Sequence, residues 1–112
     1  MSFVTSEKML LDAQKGGYAV GAFNVENMEM VMAVIAAAEE LRAMLQTTPS
    51  TIKYAGLDMY LANVKAAAER ASVPVCLHLD HGDSFDLAMR ALRTGYTSIM
   101  IDGSHNVFEE NI

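Results

Sequence analysis

The sequence is poor in cysteine, proline and tryptophan. Its 112 residues contain one cysteine, two prolines and no tryptophan. A single cysteine, Cys76, excludes a disulfide bond within the chain and is typical of a protein from a reducing compartment. Residues 1–11 carry Glu7 and Lys8 and include no apolar stretch of signal-peptide length. We therefore expect a soluble, cytoplasmic protein.

Positive charge is scarce as well. There are 8 Lys and Arg residues against 14 Asp and Glu residues, so the formal net charge is −6. A nucleic-acid-binding surface needs basic side chains to neutralise phosphates, so we expect no nucleic-acid partner. The apolar stretch at 31–38 is far shorter than the roughly 20 residues of a membrane helix, so we expect no membrane partner. The hydrophobic content of 52% predicts a globular chain with a packed core.

The hydrophobic pattern alternates between strand-like runs and helix-like periods. A first helix is predicted to begin at a cap formed by Thr5 or Ser6 and to run through about Lys15. Four strand–helix units follow, with strands at 18–23, 44–46, 75–79 and 96–101, and helices at 28–41, 57–71, 85–93 and beginning within 106–112. Turns or loops are expected at 24–27, 47–51 and 81–83.

Strands that are apolar along their length and separated by helices predict an α/β fold with parallel strands and right-handed crossovers. Two architectures fit this pattern. One is a small doubly wound sheet. The other is the first half of a (β/α)8 TIM barrel, with four parallel strands and alternating helices; the whole barrel needs about 250 residues. No linker interrupts the pattern, so residues 1–112 are expected to form a single, partial domain.

Polar residues follow the predicted strands, and in both architectures the carboxyl ends of the strands build the active site. The most distinctive group is HLDHG at 78–82. Alternation places His78 and Asp80 on one face of the strand, and His81 on the other until the strand ends. An imidazole and a carboxylate at a strand end suit metal-assisted acid–base chemistry. The alternative is a hydrogen-bonded strand end, with Asp80 capping the next turn.

Other candidates have similar alternatives. Asn24 could hold a substrate oxygen or open the turn into the next helix. Asp102 could orient a metal ion or a substrate hydroxyl, or belong to a simple turn with Gly103 and Ser104. Thr48 offers a hydroxyl to a substrate, although a polar loop is its ordinary interpretation. Cys76 lies in a predicted strand and is interpreted as part of the core. The sequence contains no G-x-G-x-x-G, P-loop or C-x-x-C motif.

Four segments in this order resemble a known family. They are GYAVGAFN at 17–24, HLDHG at 78–82, SIMIDGSH at 98–105 and FEEN at 108–111. The sequence is similar to the N-terminal half of the class II, zinc-dependent ketose-bisphosphate aldolases. The resemblance implies the TIM-barrel alternative. It also implies aldol cleavage of fructose 1,6-bisphosphate to dihydroxyacetone phosphate and glyceraldehyde 3-phosphate in glycolysis, or the equivalent reaction of tagatose 1,6-bisphosphate.

The resemblance also implies roles for particular residues. Asp80 matches the catalytic group that exchanges a proton with the C4 hydroxyl oxygen. His81 matches the first ligand of Zn²⁺, which acts as a Lewis acid on the ketone. Asn24, Asp102 and Thr48 match residues close to the phosphorylated sugar. The family also implies a monovalent-cation site and a homo-oligomer, and it implies further zinc ligands beyond residue 112.

One segment departs from the family pattern. The chain at 42–46 is about two residues shorter than usual before the Gln-Thr-Thr loop, which predicts a shifted register or lost ladder bonds near Thr47 and Thr48. Half a barrel also leaves strand edges unpaired. Two alternatives to the enzyme therefore stay open. One is a truncated, aldolase-derived polypeptide that is inactive by itself, and the other is a small doubly wound binding domain.

Overall fold

A parallel four-stranded sheet forms the centre of the chain. The computed structural model describes residues 2–40 and 42–112. The strands are β1 (Gly21–Asn24), β2 (Ala43–Thr47), β3 (Val75–Gly82) and β4 (Ser98–Ile101). They lie in the order β1-β2-β3-β4, and every neighbouring pair is parallel. A doubly wound sheet reverses its strand order at a switch point, whereas a barrel adds each strand beside the previous one. The observed order is that of a barrel.

Three of the helices begin at a side chain that caps them. They are α1 (Ser6–Gly16), α2 (Met28–Ala38), α3 (Pro49–Ala55), α4 (Leu57–Arg70) and α5 (Phe85–Thr94), followed by a 3₁₀ turn at Phe108–Asn111. The side chains of Thr5, Asn27 and Ser84 each accept a hydrogen bond from the backbone N–H three residues later. Such a bond satisfies one of the N–H groups that have no partner within the helix. Within residues 2–40 and 42–112, no helix is long and apolar enough to span a membrane.

One face of the sheet packs against helices and forms the main core. Leu45 of β2 and Leu77 and Leu79 of β3 are fully buried on this face. Their helical partners in the same cluster include Val31 and Ile35 of α2, Val64 and Ala68 of α4, and Leu87 and Ala91 of α5. Burial of this apolar surface is the main favourable contribution to folding.

The other face is apolar at the amino ends of the strands and polar at their carboxyl ends. Met44 of β2 and Cys76 of β3 pack there against Met9 of α1. Burial raises the pKa of the Cys76 thiol, which agrees with its interpretation as a core residue. Further along the same strands, this face carries Gln46 and His78. Candidate functional side chains thus lie above a small apolar cluster.

The segment before α1 is joined to strand β3. Phe3 forms an isolated parallel bridge with Val75, and the Val4 N–H donates to the Val75 carbonyl at 2.8 Å. The Ser2 hydroxyl donates to the Ala71 carbonyl at 2.7 Å. These bonds hold residues 2–4 beside the amino end of a strand about seventy positions away in sequence.

Several predicted boundaries were wrong. The expected loop at 47–51 contains the start of α3, because Pro49 occupies the first helical turn, where its missing N–H costs nothing. The first strand begins at Gly21 rather than at residue 18, and the fourth begins at Ser98 rather than at residue 96. The segment within 106–112 forms only a 3₁₀ turn.

The short second strand is regular, contrary to expectation. It spans five residues and keeps a continuous register with β1 and β3, from Ala43 opposite Gly21 and Val75. Helix α2 ends at Ala38. The predicted end of that helix at Leu41 lies outside the described residues.

Candidate active site

A row of polar side chains crosses the open face of the sheet. Asn24, Gln46, His78 and Ser98 lie opposite one another in the register of the four strands. The Gln46 amide nitrogen lies 2.8 Å from Asn24 Oδ1 and 3.2 Å from Asp80 Oδ2. One amide can donate to both because it carries two N–H protons. Gln46 therefore links the end of β1 to the end of β3.

Asp80 occupies the centre of this group. Its side chain is 18% exposed, with Oδ1 3.9 Å from His78 Nε2 and Oδ2 3.6 Å from His81 Nε2. The carboxylate thus lies between two imidazoles and accepts a hydrogen bond from Gln46. The geometry leaves Asp80 partly open to solvent at the carboxyl end of the strand.

His81 reaches the same side as Asp80 through a break in the strand's regularity. Simple alternation would place its side chain on the helix-covered face, next to that of Leu79. Strand β3 does not end in a turn at 81–83 as predicted. It continues to Gly82, with a bulge between Leu79 and Gly82 and a left-handed φ of 52° at His81. A bulge re-aims the side chain that it contains. The left-handed conformation costs a non-glycine residue about 1–2 kcal/mol.

Position 82 requires a glycine for a steric reason. A Cβ atom at position 82 would lie 2.7 Å from the backbone carbonyl oxygen of Met100. That distance is shorter than any normal carbon–oxygen contact. Gly82 therefore allows β4 to approach the bulge and to bring the end of β4 next to His81.

Asp102 orients the His81 ring. Its Oδ2 lies 2.8 Å from His81 Nδ1, and its Oδ1 accepts the Ser104 N–H at 2.9 Å. Hydrogen bonds from Ser104 and His81 hold the pKa of Asp102 well below its usual range. The hydrogen bond to Asp102, together with the charge of Asp80, raises the pKa of His81. Because a carboxylate can only accept, the Nδ1 atom carries the proton, and neutral His81 has a free lone pair at Nε2.

His78 lies mostly buried beside strand β4. Its Nδ1 lies 2.6 Å from the Ser98 hydroxyl, and its side chain is 15% exposed. Burial lowers the pKa of His78 below 6.5, and the charge of Asp80 opposes this shift only partly. The pKa of His78 is therefore lowered and that of His81 is raised, although only three positions separate the two residues in the sequence.

Thr48 lies on a different part of this rim. It occupies the N-cap position of α3, and its hydroxyl lies 3.1 Å from the Ser50 hydroxyl and 3.2 Å from the Thr51 hydroxyl. In the part of the chain that the structure describes, no hydrogen bond joins Thr48 to Gln46 or Asp80. The structure thus brings Asn24, Asp80, His81 and Asp102 into one contiguous group, with Thr48 outside its hydrogen bonds.

Sequence reasoning assigned no role to Gln46. Its position in β2 was visible, and alternation places it on the same face as Met44. What the sequence did not reveal is its register, in which Gln46 lies opposite both Asn24 and His78. The same register explains why its amide contacts both neighbouring strands.

The described residues supply part of a metal site. Within residues 2–40 and 42–112, no three His, Cys, Asp or Glu side chains form a metal-binding group. Among the described residues, His81 has the features of a ligand, since its Nε2 lone pair is free and Asp102 fixes the ring through Nδ1. Catalytic zinc requires three protein ligands. The described residues therefore fit a zinc ion only as contributors of one ligand and its orienting carboxylate.

Comparison with known proteins identifies the family. The family described as fructose-bisphosphate aldolase class-II matches residues 4–112. The fructose-bisphosphate aldolase of Helicobacter pylori (strain ATCC 700392 / 26695) is 47% identical over 112 residues, which cover 97% of this chain and 36% of that protein. The D-tagatose-1,6-bisphosphate aldolase subunit GatY of Klebsiella oxytoca is 42% identical, over 100% of this chain and 40% of the relative.

A solved structure gives the same result. The crystal structure of the YdjI aldolase from Escherichia coli K12 matches with a TM-score of 0.85 and 33% identity, covering 97% of this chain and 42% of that one. The chain therefore spans about two-fifths of the length of its relatives. The predicted first half of a TIM barrel, with four parallel strands, is confirmed. The chain belongs to the class II fructose-bisphosphate aldolase family.

Proposed function

We propose that these residues belong to a zinc-dependent aldolase that cleaves fructose 1,6-bisphosphate to dihydroxyacetone phosphate and glyceraldehyde 3-phosphate. The observation that carries the proposal is the position of Asp80, a partly exposed carboxylate held by Gln46 at the carboxyl end of a barrel strand. Catalytic groups of TIM barrels lie at that end. Membership of the class II family supports the reaction class.

Asp80 acts as the general base in cleavage. Its carboxylate takes the proton of the C4 hydroxyl, the C4–O bond becomes a carbonyl and the C3–C4 bond breaks. The electron pair of that bond passes to the ketone half of the sugar, which leaves as the enediolate of dihydroxyacetone phosphate. In condensation, protonated Asp80 returns the proton to the same oxygen. The hydrogen bond from Gln46 to Oδ2 keeps the carboxylate in a fixed orientation for this transfer.

His81 binds zinc through Nε2 in this proposal. Asp102 supports that role because it accepts from Nδ1 and so fixes the ring and its tautomer. When bound, zinc supplies Lewis-acid polarisation of the substrate ketone. The hydrogen bond to Asp102 also keeps the His81 ring at the rim.

Asn24 contacts the substrate through its amide N–H groups. Its Oδ1 atom accepts from Gln46, which leaves the two amide protons as the free hydrogen-bonding groups of that side chain. An amide N–H suits a phosphate or hydroxyl oxygen of the sugar. Thr48 adds a hydroxyl from the neighbouring loop, and Asp102 lies close enough to His81 to meet the same substrate.

The choice of fructose over tagatose rests on the comparisons. The relative from Helicobacter pylori, at 47% identity, is named for fructose bisphosphate, and the relative from Klebsiella oxytoca, at 42%, is named for tagatose 1,6-bisphosphate. The two substrates differ in configuration at one carbon. Cleavage of both ketose bisphosphates is therefore measured.

The test uses the full-length product of the gene that encodes this sequence. Cleavage of each ketose bisphosphate is measured through the release of dihydroxyacetone phosphate, before and after chelation and after addition of zinc. We expect chelation to abolish cleavage and zinc to restore it. His81→Asn should lower the bound zinc, whereas Asp80→Asn should keep zinc and lose turnover. Absence of zinc-dependent cleavage of either ketose refutes the proposal.

The same assay on the 112-residue polypeptide tests the alternative that it is a truncated, aldolase-derived polypeptide, inactive by itself. A metal site with one histidine ligand is incomplete, so we expect this polypeptide to cleave neither ketose. Zinc-dependent turnover by the polypeptide alone would contradict the idea that further ligands are required.

A further inference from the structure

Two loops at the carboxyl end of the sheet are joined through Glu26. Its backbone carbonyl accepts from the Tyr60 hydroxyl at 3.0 Å, and its carboxylate oxygen Oε1 accepts from the Thr51 hydroxyl at 2.9 Å. The adjacent Val25 N–H donates to the Gln46 carbonyl at 3.1 Å. The loop after β1 is thus fixed to helix α4, to β2 and to the first turn of α3.

Thr51 extends this connection to Thr48. Thr51 is 3% exposed, and its hydroxyl lies 3.2 Å from that of Thr48. A carboxylate accepts hydrogen bonds but cannot donate, so the single proton of the Thr51 hydroxyl is committed to Glu26. The oxygen of Thr51 then remains as an acceptor for Thr48. Glu26 therefore fixes the direction of the Thr51 hydroxyl and leaves its oxygen to accept from Thr48, whose hydroxyl also lies 3.1 Å from that of Ser50.

The Thr48 hydroxyl does not cap helix α3, although Thr48 is its N-cap residue. A threonine at a helix N-cap usually accepts from a backbone N–H of the first turn. Thr48 makes no such side-chain cap bond at the start of α3. Its hydroxyl contacts the hydroxyls of Ser50 and Thr51 instead. The Thr48 side chain is thus held by Ser50 and Thr51, while its backbone begins the helix.

We propose that Glu26 and Thr51 are positioning residues for substrate binding, which hold the Thr48 hydroxyl in a single orientation without touching the substrate themselves. The inference deepens the proposed function, because it depends on Thr48 as a substrate contact. Glu26 also lies two residues after Asn24, so the same contacts fix the loop that follows that amide.

The first test separates KM from kcat in the full-length gene product. Thr51→Val keeps the buried shape but removes the hydroxyl, and Glu26→Ala removes the acceptor. Loss of one binding hydrogen bond changes affinity by about 2- to 10-fold, so we expect KM to rise by that factor, with kcat nearly unchanged. Thr51→Ser and Glu26→Gln should show the wild-type KM, since serine retains the donating hydroxyl and glutamine retains an accepting oxygen. Glu29→Ala, in the exposed first turn of α2, is the matched control.

A merely structural role gives a different result. It would lower the melting temperature or the active fraction, and hence kcat, while KM stayed constant. That outcome, or an unchanged KM in both Thr51→Val and Glu26→Ala, overturns the inference and leaves the aldolase proposal intact. Glu26 is exposed, so Glu26→Ala remains informative if Thr51→Val does not fold.

The second test does not depend on catalysis. Three-bond couplings measured by NMR report the χ1 rotamer of Thr48 in the full-length protein. We expect one rotamer in the wild type and averaged couplings in Thr51→Val and Glu26→Ala. Averaged couplings in the wild type, or a fixed rotamer in both variants, overturn the inference. If the protein cleaves no ketose bisphosphate, the proposed function fails while these couplings still decide whether Glu26 orients Thr48.

Discussion

The two faces of the sheet differ although the same strands build both. On the helix-covered face, Leu45, Leu77 and Leu79 are fully buried and the packing is apolar. On the open face, Gln46 and Asp80 are partly exposed and hydrogen-bonded to each other. Adjacent residues of one strand thus belong to different environments because side chains alternate. The comparison indicates that one face stabilises the fold while the other is free to carry chemistry.

The largest expected effect tests the open face. Asp80→Asn removes the proton acceptor but keeps an oxygen that can accept from Gln46. Loss of a general base costs about 10²- to 10⁴-fold in rate, so we expect kcat for ketose-bisphosphate cleavage to fall by that factor. The melting temperature of the full-length protein should change little. Asp83→Asn, at an exposed position three residues later, serves as the control, and a loss of less than tenfold in Asp80→Asn would contradict the assignment.

Leu77→Ala tests the opposite face. Truncation of a fully buried leucine leaves a cavity and costs about 2–5 kcal/mol in the free energy of unfolding. We expect that loss in denaturant unfolding of the full-length protein, while kcat per folded molecule stays near the wild-type value. Leu92→Ala, on the exposed side of α5, should cost far less. If Leu77→Ala lowers kcat as strongly as Asp80→Asn, the two faces are not separate in function.

Gln46→Leu tests whether the open face is organised by hydrogen bonds. The substitution keeps the approximate size of the side chain and removes the donor to Asn24 and Asp80. Hydrogen bonds to charged groups contribute about 1.5–3 kcal/mol, so we expect kcat/KM to fall about tenfold to a hundredfold. Steady-state kinetics together with a thermal melt would separate a true loss of kcat/KM from a loss of folded protein. Unchanged kcat/KM would show that Asp80 needs no support from β2.

The smallest effect concerns the two histidines beside Asp80. In the metal-free protein, the imidazole titrations followed by NMR should fall on opposite sides of 6.5, with His81 above it and His78 below it. Asp102→Asn should lower the pKa of His81, because it removes the hydrogen-bonding carboxylate. Titration of both rings on the same side of 6.5 would contradict the described environments.

These pKa shifts have opposite consequences for stability. The raised pKa of His81 gives a contribution that is complete below pH 6.5 and is lost as the pH rises through its folded pKa. The lowered pKa of His78 acts the other way, since the unfolded chain binds the proton more readily. Its contribution is present above pH 6.5 and is lost as the pH falls through the folded value. The lowered pKa of Asp102 likewise stabilises above 3.8 and ceases to do so as the pH falls through its folded value.

Much of the fold could be predicted because its signals are local. The helical period at 85–93 and the apolar run from Val75 each depend on neighbouring residues. Asn24, Asp80 and Asp102 could also be predicted as site candidates, because each follows a predicted strand and parallel strands end at the same edge of the sheet. Their proposed roles remain predictions.

The rest depends on contacts between distant segments. Nothing in HLDHG indicates that His81 adopts a left-handed backbone, because the bulge arises from the pairing of β3 with β4. The role of Gln46 depends on register with two other strands. Helix α3 was missed for a local reason, since Pro49 was interpreted as a loop residue although proline also begins helices.

The bonds between residues 2–4 and strand β3 affect the order in which the chain can fold during synthesis. Ser2, Phe3 and Val4 leave the ribosome long before Ala71 and Val75, which provide their partners. At about 5–20 residues per second, the first segment waits several seconds for β3. Its hydrogen bonds form only after a large loop has closed. Residues 2–4 therefore become fixed only after Val75 has emerged, and proteolysis of nascent chains should cleave them until then.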